Sequence, residues 1–187
     1  MNFVQLLTAF IPWILFGLIS GPTMESLTLA LFVGLLSSIL LGYRTFRKMY
    51  ILSVATVVFF VTMIIAIVVF RSVTIAELTG VLSYGWLSAV IWGSLLFSHP
   101  FTLDYSRESV DPERQKTRGF MRINQILTAT WGCLLSINLG VMILIKLEPE
   151  TAGIFTKIIP WALLVLGLVF TIRYPGFARS REKTVTG

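Results

Sequence analysis

The chain has 187 residues, of which 56% are apolar and 13% charged, about half the charged share of an ordinary soluble domain. Fifteen Lys and Arg against nine Asp and Glu leave a formal net charge of +6. So little charge excludes a disordered chain, a disulfide scaffold and a soluble enzyme domain, and it predicts a polytopic membrane protein.

A hydrocarbon core ~30 Å thick needs ~20 helical residues, so the sequence predicts an all-α bundle of six spans in a single membrane domain covering residues 1–187. The first span is expected over 3–20, with Pro12 inside it. The opening Met1-Asn2-Phe3 carries no basic region, so this run reads as a retained span rather than a cleaved leader. The second is expected over 24–43, stopped by Arg44, Arg47 and Lys48, and the third over 50–70, closed by Arg71. The fourth covers 75–97 and ends at His99-Pro100. A polar loop over 98–121 follows, in which Asp111-Pro112-Glu113 predicts the start of a short surface helix ending near Gly119, with Asp as N-cap and Pro in the first turn. The fifth span is expected over 122–146 and the sixth over 153–173, with Lys157 snorkelling to the interface. A basic tail, 174–187, closes the chain.

With connections assigned alternately to the two sides, twelve of the fifteen basic residues fall on one side. The positive-inside rule then makes both termini and the long loop cytoplasmic. The same placement explains the basic excess as interface charge facing anionic lipid, and nucleic acid is not an expected partner.

Small residues every fourth position allow close helix approach in lipid. Ala30, Gly34, Ser38 and Gly42 form such a ridge on span two, Gly85, Ala89 and Gly93 on span four, and Gly132, Ser136 and Gly140 on span five. They predict helix packing, with a homo-oligomer interface or the wall of a solute path as the functional alternative. Glu25 and Glu77 lie at the outer starts of spans two and four, and Asn138 lies mid-span in helix five. These three make the candidate polar pathway, against a plain reading as interface anchors and an interhelical hydrogen bond.

Catalytic and metal-binding patterns are absent. One histidine, His99, excludes a bis-His haem or an HExxH zinc site, and the lone Cys133 excludes a disulfide framework. No cofactor is expected. Asp104, Glu108, Asp111 and Glu113 beside His99 read as solvated carboxylates interleaved with basic residues rather than a cation site. The last two aromatic-basic elements share a Pro, a Phe and a Ser-Arg-Glu, at 100–108 and 175–182, a weak internal echo that interfacial anchoring also explains.

Three segments carry a resemblance to a known family. They are Phe10-Ile11-Pro12-Trp13-Ile14-Leu15-Phe16, the run Tyr43-Arg44-Thr45-Phe46-Arg47-Lys48, and Pro100-Phe101-Thr102-Leu103-Asp104-Tyr105-Ser106-Arg107-Glu108. With Arg122-Ile123-Asn124-Gln125 leading to Trp131-Gly132, the arrangement resembles the intracellular septation protein A family and related bacterial membrane proteins. The loop over 98–121 is longer than that pattern. The resemblance implies an inner-membrane protein of envelope maintenance and septum formation that contacts other membrane or division proteins. Three functions stand side by side: a non-enzymatic scaffold whose interaction surface is Pro100, Phe101, Asp104, Tyr105, Arg107 and Glu108; a small permease or channel for an apolar or zwitterionic solute; and a lipid- or quinone-directed enzyme built on His99, Asp104, Tyr105 and Arg107.

Overall fold

The computed structural model describes the backbone over residues 3–151 and 153–185, with side chains described over 4–150, 153 and 158–178. Within these residues every regular element is helical: α1 (Phe3–Ile19), α2 (Met24–Arg47), α3 (Ile51–Ile64) continued by a π-helical turn (Ile65–Val69), α4 (Val73–Glu77), α5 (Thr79–Leu96), α6 (Phe101–Arg107), α7 (Pro112–Gln115), α8 (Arg118–Leu147), a 3-10 turn (Pro149–Thr151) and α9 (Ile154–Val185). Five stretches are long and apolar enough to cross a membrane: Met24–Arg47, Ile51–Val69, Thr79–Leu96, Arg118–Leu147 and Ile158–Ala178. Val4–Ile19 is the shorter apolar helix beside them.

Several boundaries depart from the sequence expectation. The fourth span is not continuous over 75–97, because α4 stops at Leu78 before α5 begins. The Thr79 hydroxyl donates to the carbonyls of both Ala76 (2.7 Å) and Ile75 (3.1 Å), and Gly80, a poor helix former, follows. Helix α2 continues through Arg44 to Arg47, and α9 runs on through the expected tail to Val185. Arg, Lys and Glu are good helix formers, so a charge sets the depth of a helix in the bilayer without ending it. The side chains of Lys157 and of tail residues Arg179, Arg181 and Lys183 lie outside the described residues. In the polar loop, the Asp111 side chain caps α7 by accepting from the Glu113 N–H at 2.9 Å. That helix is only four residues long, and Gly119 belongs to α8.

Two helix ends share one device. After α2, Met49 has φ 56°, its N–H donates to the Phe46 carbonyl and the next N–H, Tyr50, donates to Thr45. After α5, Ser98 has φ 56°, with Ser98 donating to Leu95 and His99 to Ser94. Both are Schellman stops, normally occupied by glycine because a Cβ is disfavoured in the left-handed region. Arg71, φ 51°, turns the chain after the π-helical turn in the same region.

The chain divides into two compact units. In the first, residues 2–86, α1 packs on α2 and α2 on α3. Its core contains Phe16, Leu27, Ala30, Leu31, Phe59, Phe60, Met63 and Ile67, with Trp13 packed against it. Trp13 lies 4.9 Å from Phe59 and 5.3 Å from Phe60 between ring centres, and Phe16 meets Phe60 edge-on at 5.6 Å. In the second, residues 87–187, α8 is the axis. Helix α9 packs along it, and the short helices α6 and α7 pack against it.

Candidate functional site

The most organised polar region is the seam where α6 docks on the first half of α8. Helix α6 opens after the Ser98 stop, and the Ser94 hydroxyl of α5 accepts the Phe101 N–H at 3.2 Å. One turn carries Thr102 and Ser106 to the same face. The Thr102 hydroxyl lies 3.0 Å from the Asn124 carbonyl oxygen and 3.0 Å from the Thr128 hydroxyl. Ser106 donates to Asn124 Oδ1 at 2.7 Å, and Asn124 Nδ2 donates to the Phe120 carbonyl at 2.9 Å. Thr102, Ser106, Asn124 and Thr128 are all buried. Buried polar groups must be paired to avoid a desolvation cost of ~1–3 kcal/mol each, so this seam fixes the position of α6 along α8. Replacing Asn124 by leucine is expected to destabilise the protein by ~1–3 kcal/mol, because the Ser106 hydroxyl loses its acceptor. In a double-mutant cycle with Ser106→Ala the two losses should be clearly less than additive. Additive losses in melts of the purified protein would dissociate Ser106 from the seam.

This placement corrects the expected interaction surface. Phe101 and Tyr105 are 0% exposed, and Pro100 is also buried. Only Arg107 and Glu108 of that set are exposed, with Asp104 partly so. Segment 100–108 forms a short amphipathic helix whose aromatic side turns inward, Phe101 meeting Tyr105 edge-on at 6.5 Å. His99 Nε2 and Asp104 Oδ1 lie 2.9 Å apart at the α5–α6 corner. Farther along, Gln115 Nε2 donates to the carbonyls of Arg107 (2.9 Å) and Val110 (2.8 Å), folding the loop back on itself. Lys116 and Glu113 pair at 2.8 Å on the surface, a contact of small energetic weight.

Two of the small-residue ridges receive an aromatic ring at one glycine each. A Cβ on Gly34 would come within 2.5 Å of the Phe60 ring, and one on Gly132 within 2.8 Å of the Trp92 ring. Trp92 also donates its indole N–H to Ser136 at 3.1 Å, so one side chain covers two successive positions of that ridge. Ser38 is buried and donates to Leu35 of its own helix. Nothing lies within 4 Å of a Cβ placed on Gly93 or Gly140, and Gly42 would meet only Thr45. Gly85 is partly buried and Ala89 exposed. A further glycine, Gly167 of α9, lies under Trp131, whose ring would be 2.9 Å from its Cβ. Trp131 is 1% exposed and donates to Thr171 at 3.0 Å. In the first unit, Trp13 donates to Thr56 and Trp86 to the Ala55 carbonyl, both at 3.0 Å. Indole N–H groups taken out of water need such partners, and nothing in the spacing of the sequence pointed to these tryptophan pairings.

Of the expected polar pathway, Glu25 and Glu77 are exposed, and Asn138 is buried at 3% exposure. Asn138 Oδ1 accepts no hydrogen bond among the described residues. No three His, Cys, Asp or Glu side chains among the described residues come together as a metal ion would require. Compared with protein-family models, with curated proteins and with solved structures, the chain finds no match.

Proposed function

We propose that the chain is a six-span protein of the bacterial inner membrane, with α1 as the sixth span and both termini cytoplasmic, and that it serves as a non-enzymatic scaffold in envelope maintenance or septation. The observation that carries this reading is the seating of Phe60 on Gly34 and of Trp92 on Gly132 in two of the ridges, with Trp131 seated on Gly167. A permease needs polar surface along a route between helices. Here Gly34 and Gly132 meet large rings instead, which suits a rigid support.

At 17 residues, α1 is ~25 Å long, short of the ~30 Å core by an amount that local thinning of the bilayer accommodates. The concentration of basic residues in the connections flanking α2, α8 and α9 supports the orientation. With Phe101 and Tyr105 inside, the docking surface of the scaffold reduces to Arg107, Glu108 and the exposed turn around α7. The resemblance to the septation protein A family supports the cellular role. Deleting the gene from its host is expected to weaken division or envelope integrity under osmotic and membrane stress, with recovery on supplying the intact chain. Normal division and integrity under both stresses would overturn the scaffold role.

Asn138 favours a second reading, a small permease or channel, because a buried acceptor without a partner in the middle of a span is costly unless a ligand or water reaches it. Solute flux in proteoliposomes that falls on Asn138→Leu would support transport in place of scaffolding.

A further inference from the structure

Beside the α6–α8 seam lies a cavity of about 50 Å³, room for roughly three or four water-sized groups. It sits where α8 begins and α9 passes Pro175, at the end of these two helices that carries Arg118, Arg122 and Arg173. Its wall is mixed, with Arg114, Ser106, Thr117 and Asn124 among the polar residues and Ile123 and Pro175 among the apolar ones. None of the described lining residues is a carboxylate.

The polar lining offers hydrogen-bond donors. Asn124 is 1% exposed, and one of its two Nδ2 hydrogens goes to the Phe120 carbonyl. Its Oδ1 is occupied by Ser106, so a second amide hydrogen remains at the cavity wall without an acceptor among the described residues. Thr117 takes the N–H groups of Phe120 (side chain) and Met121 (carbonyl). The preceding N–H, that of Gly119, has no intrahelical acceptor and no Cβ beside it. Arg114, an exposed residue of the lining, carries a guanidinium able to bind a phosphate through two parallel N–H groups. Three kinds of donor thus belong to the lining of a space of phosphate size, together with apolar side chains.

We infer that this cavity binds a phosphate group bearing negative charge, carried by an anionic phospholipid whose acyl chains leave along the apolar lining residues, or present as free phosphate. The inference rests on the membrane reading of the spans and is independent of the scaffold role.

The full chain, purified in detergent micelles, tests it by native mass spectrometry with phosphatidylglycerol, phosphatidylcholine and inorganic phosphate as separate probes. One phosphatidylglycerol is expected to be retained in preference to phosphatidylcholine. Arg114→Gln should weaken its retention by about tenfold, the loss of one charge-assisted contact. Lys116→Gln makes the same change of charge two residues on, outside the cavity wall, and should alter retention by less than about twofold. Displacement of the lipid by millimolar inorganic phosphate supports the site with free phosphate as its ligand, and resistance to displacement supports it with the lipid as its ligand. Equal losses in the two variants, or phosphatidylcholine retained as well as phosphatidylglycerol, would overturn it. A chain recovered in the soluble fraction of its host would instead refute the membrane reading itself.

Discussion

Truncating Trp131 to alanine is expected to cost ~3–5 kcal/mol of stability, the largest single loss available in the second unit. The ring is 1% exposed and heads the fully buried side chains by size. It occupies the hollow that Gly167 leaves in α9, and the Cβ position of that glycine is 2.9 Å from its edge. Removing the ring therefore opens a cavity at the junction of α8 and α9, and neither helix backbone can relax fully to close it. Trp131→Phe separates the contributions. It keeps much of the volume and removes the 3.0 Å hydrogen bond to Thr171, at an expected cost of ~1 kcal/mol from the bond with a further packing loss from the smaller ring. Thr171 continues to donate to the Gly167 carbonyl at 2.7 Å, so no donor is orphaned. Unfolding of the purified protein in mixed micelles measures both variants. Equal losses from the alanine and phenylalanine changes would show that the hydrogen bond, and not the packed ring, joins the two helices.

Replacing Gly34 by valine is expected to destabilise the first unit by ~1–3 kcal/mol through overpacking. The new Cβ would lie 2.5 Å from two ring atoms of Phe60, and Phe60 has little room to retreat. It is 0% exposed and held among Trp13, Phe16 and Phe59 at centre distances of 5.3, 5.6 and 5.5 Å. Combining Gly34→Ala with Phe60→Leu should recover part of the loss caused by Gly34→Ala alone, because the smaller side chain clears the clash. A pair that behaves additively would mean that Gly34 and Phe60 do not share this contact. Gly93 and Gly140 serve as controls. Open space surrounds their Cβ positions, so alanine at either should be neutral or slightly stabilising through its better helix propensity.

The contrast among these glycines marks where sequence reasoning stopped. Spacing alone placed Gly34, Gly93, Gly132 and Gly140 on equal terms as small-residue ridges. Their partners differ because a helix face has no fixed neighbour until the bundle forms. Span-like helices were readable from long apolar runs, but the break at Leu78 was not. It is a single residue whose backbone leaves helical geometry (φ −92°, ψ 3°), and an apolar run does not announce where that happens. The segment 100–108 was misplaced at the surface for a related reason. Two of its charged residues, Asp104 and Arg107, share a seven-residue helix with Phe101, Leu103 and Tyr105, and Glu108 caps it; composition cannot tell which side wins burial. Asn124 entered the sequence reading only as part of a resemblance. Its role came from geometry, as the residue that joins Ser106 to the Phe120 carbonyl.

By itself, the sequence determined an all-helical chain, its apolar stretches and the unequal placement of its basic residues. Each of these follows from one-dimensional quantities: the length of an apolar run against the thickness of a bilayer, and the position of a charge relative to that run. Tertiary structure decided which ring fills which glycine, that α6 folds against α8, and that an arginine, an amide and a helix start line one small cavity. Those are meetings of residues distant along the chain, set by side-chain packing and by the need of every buried polar group for a partner.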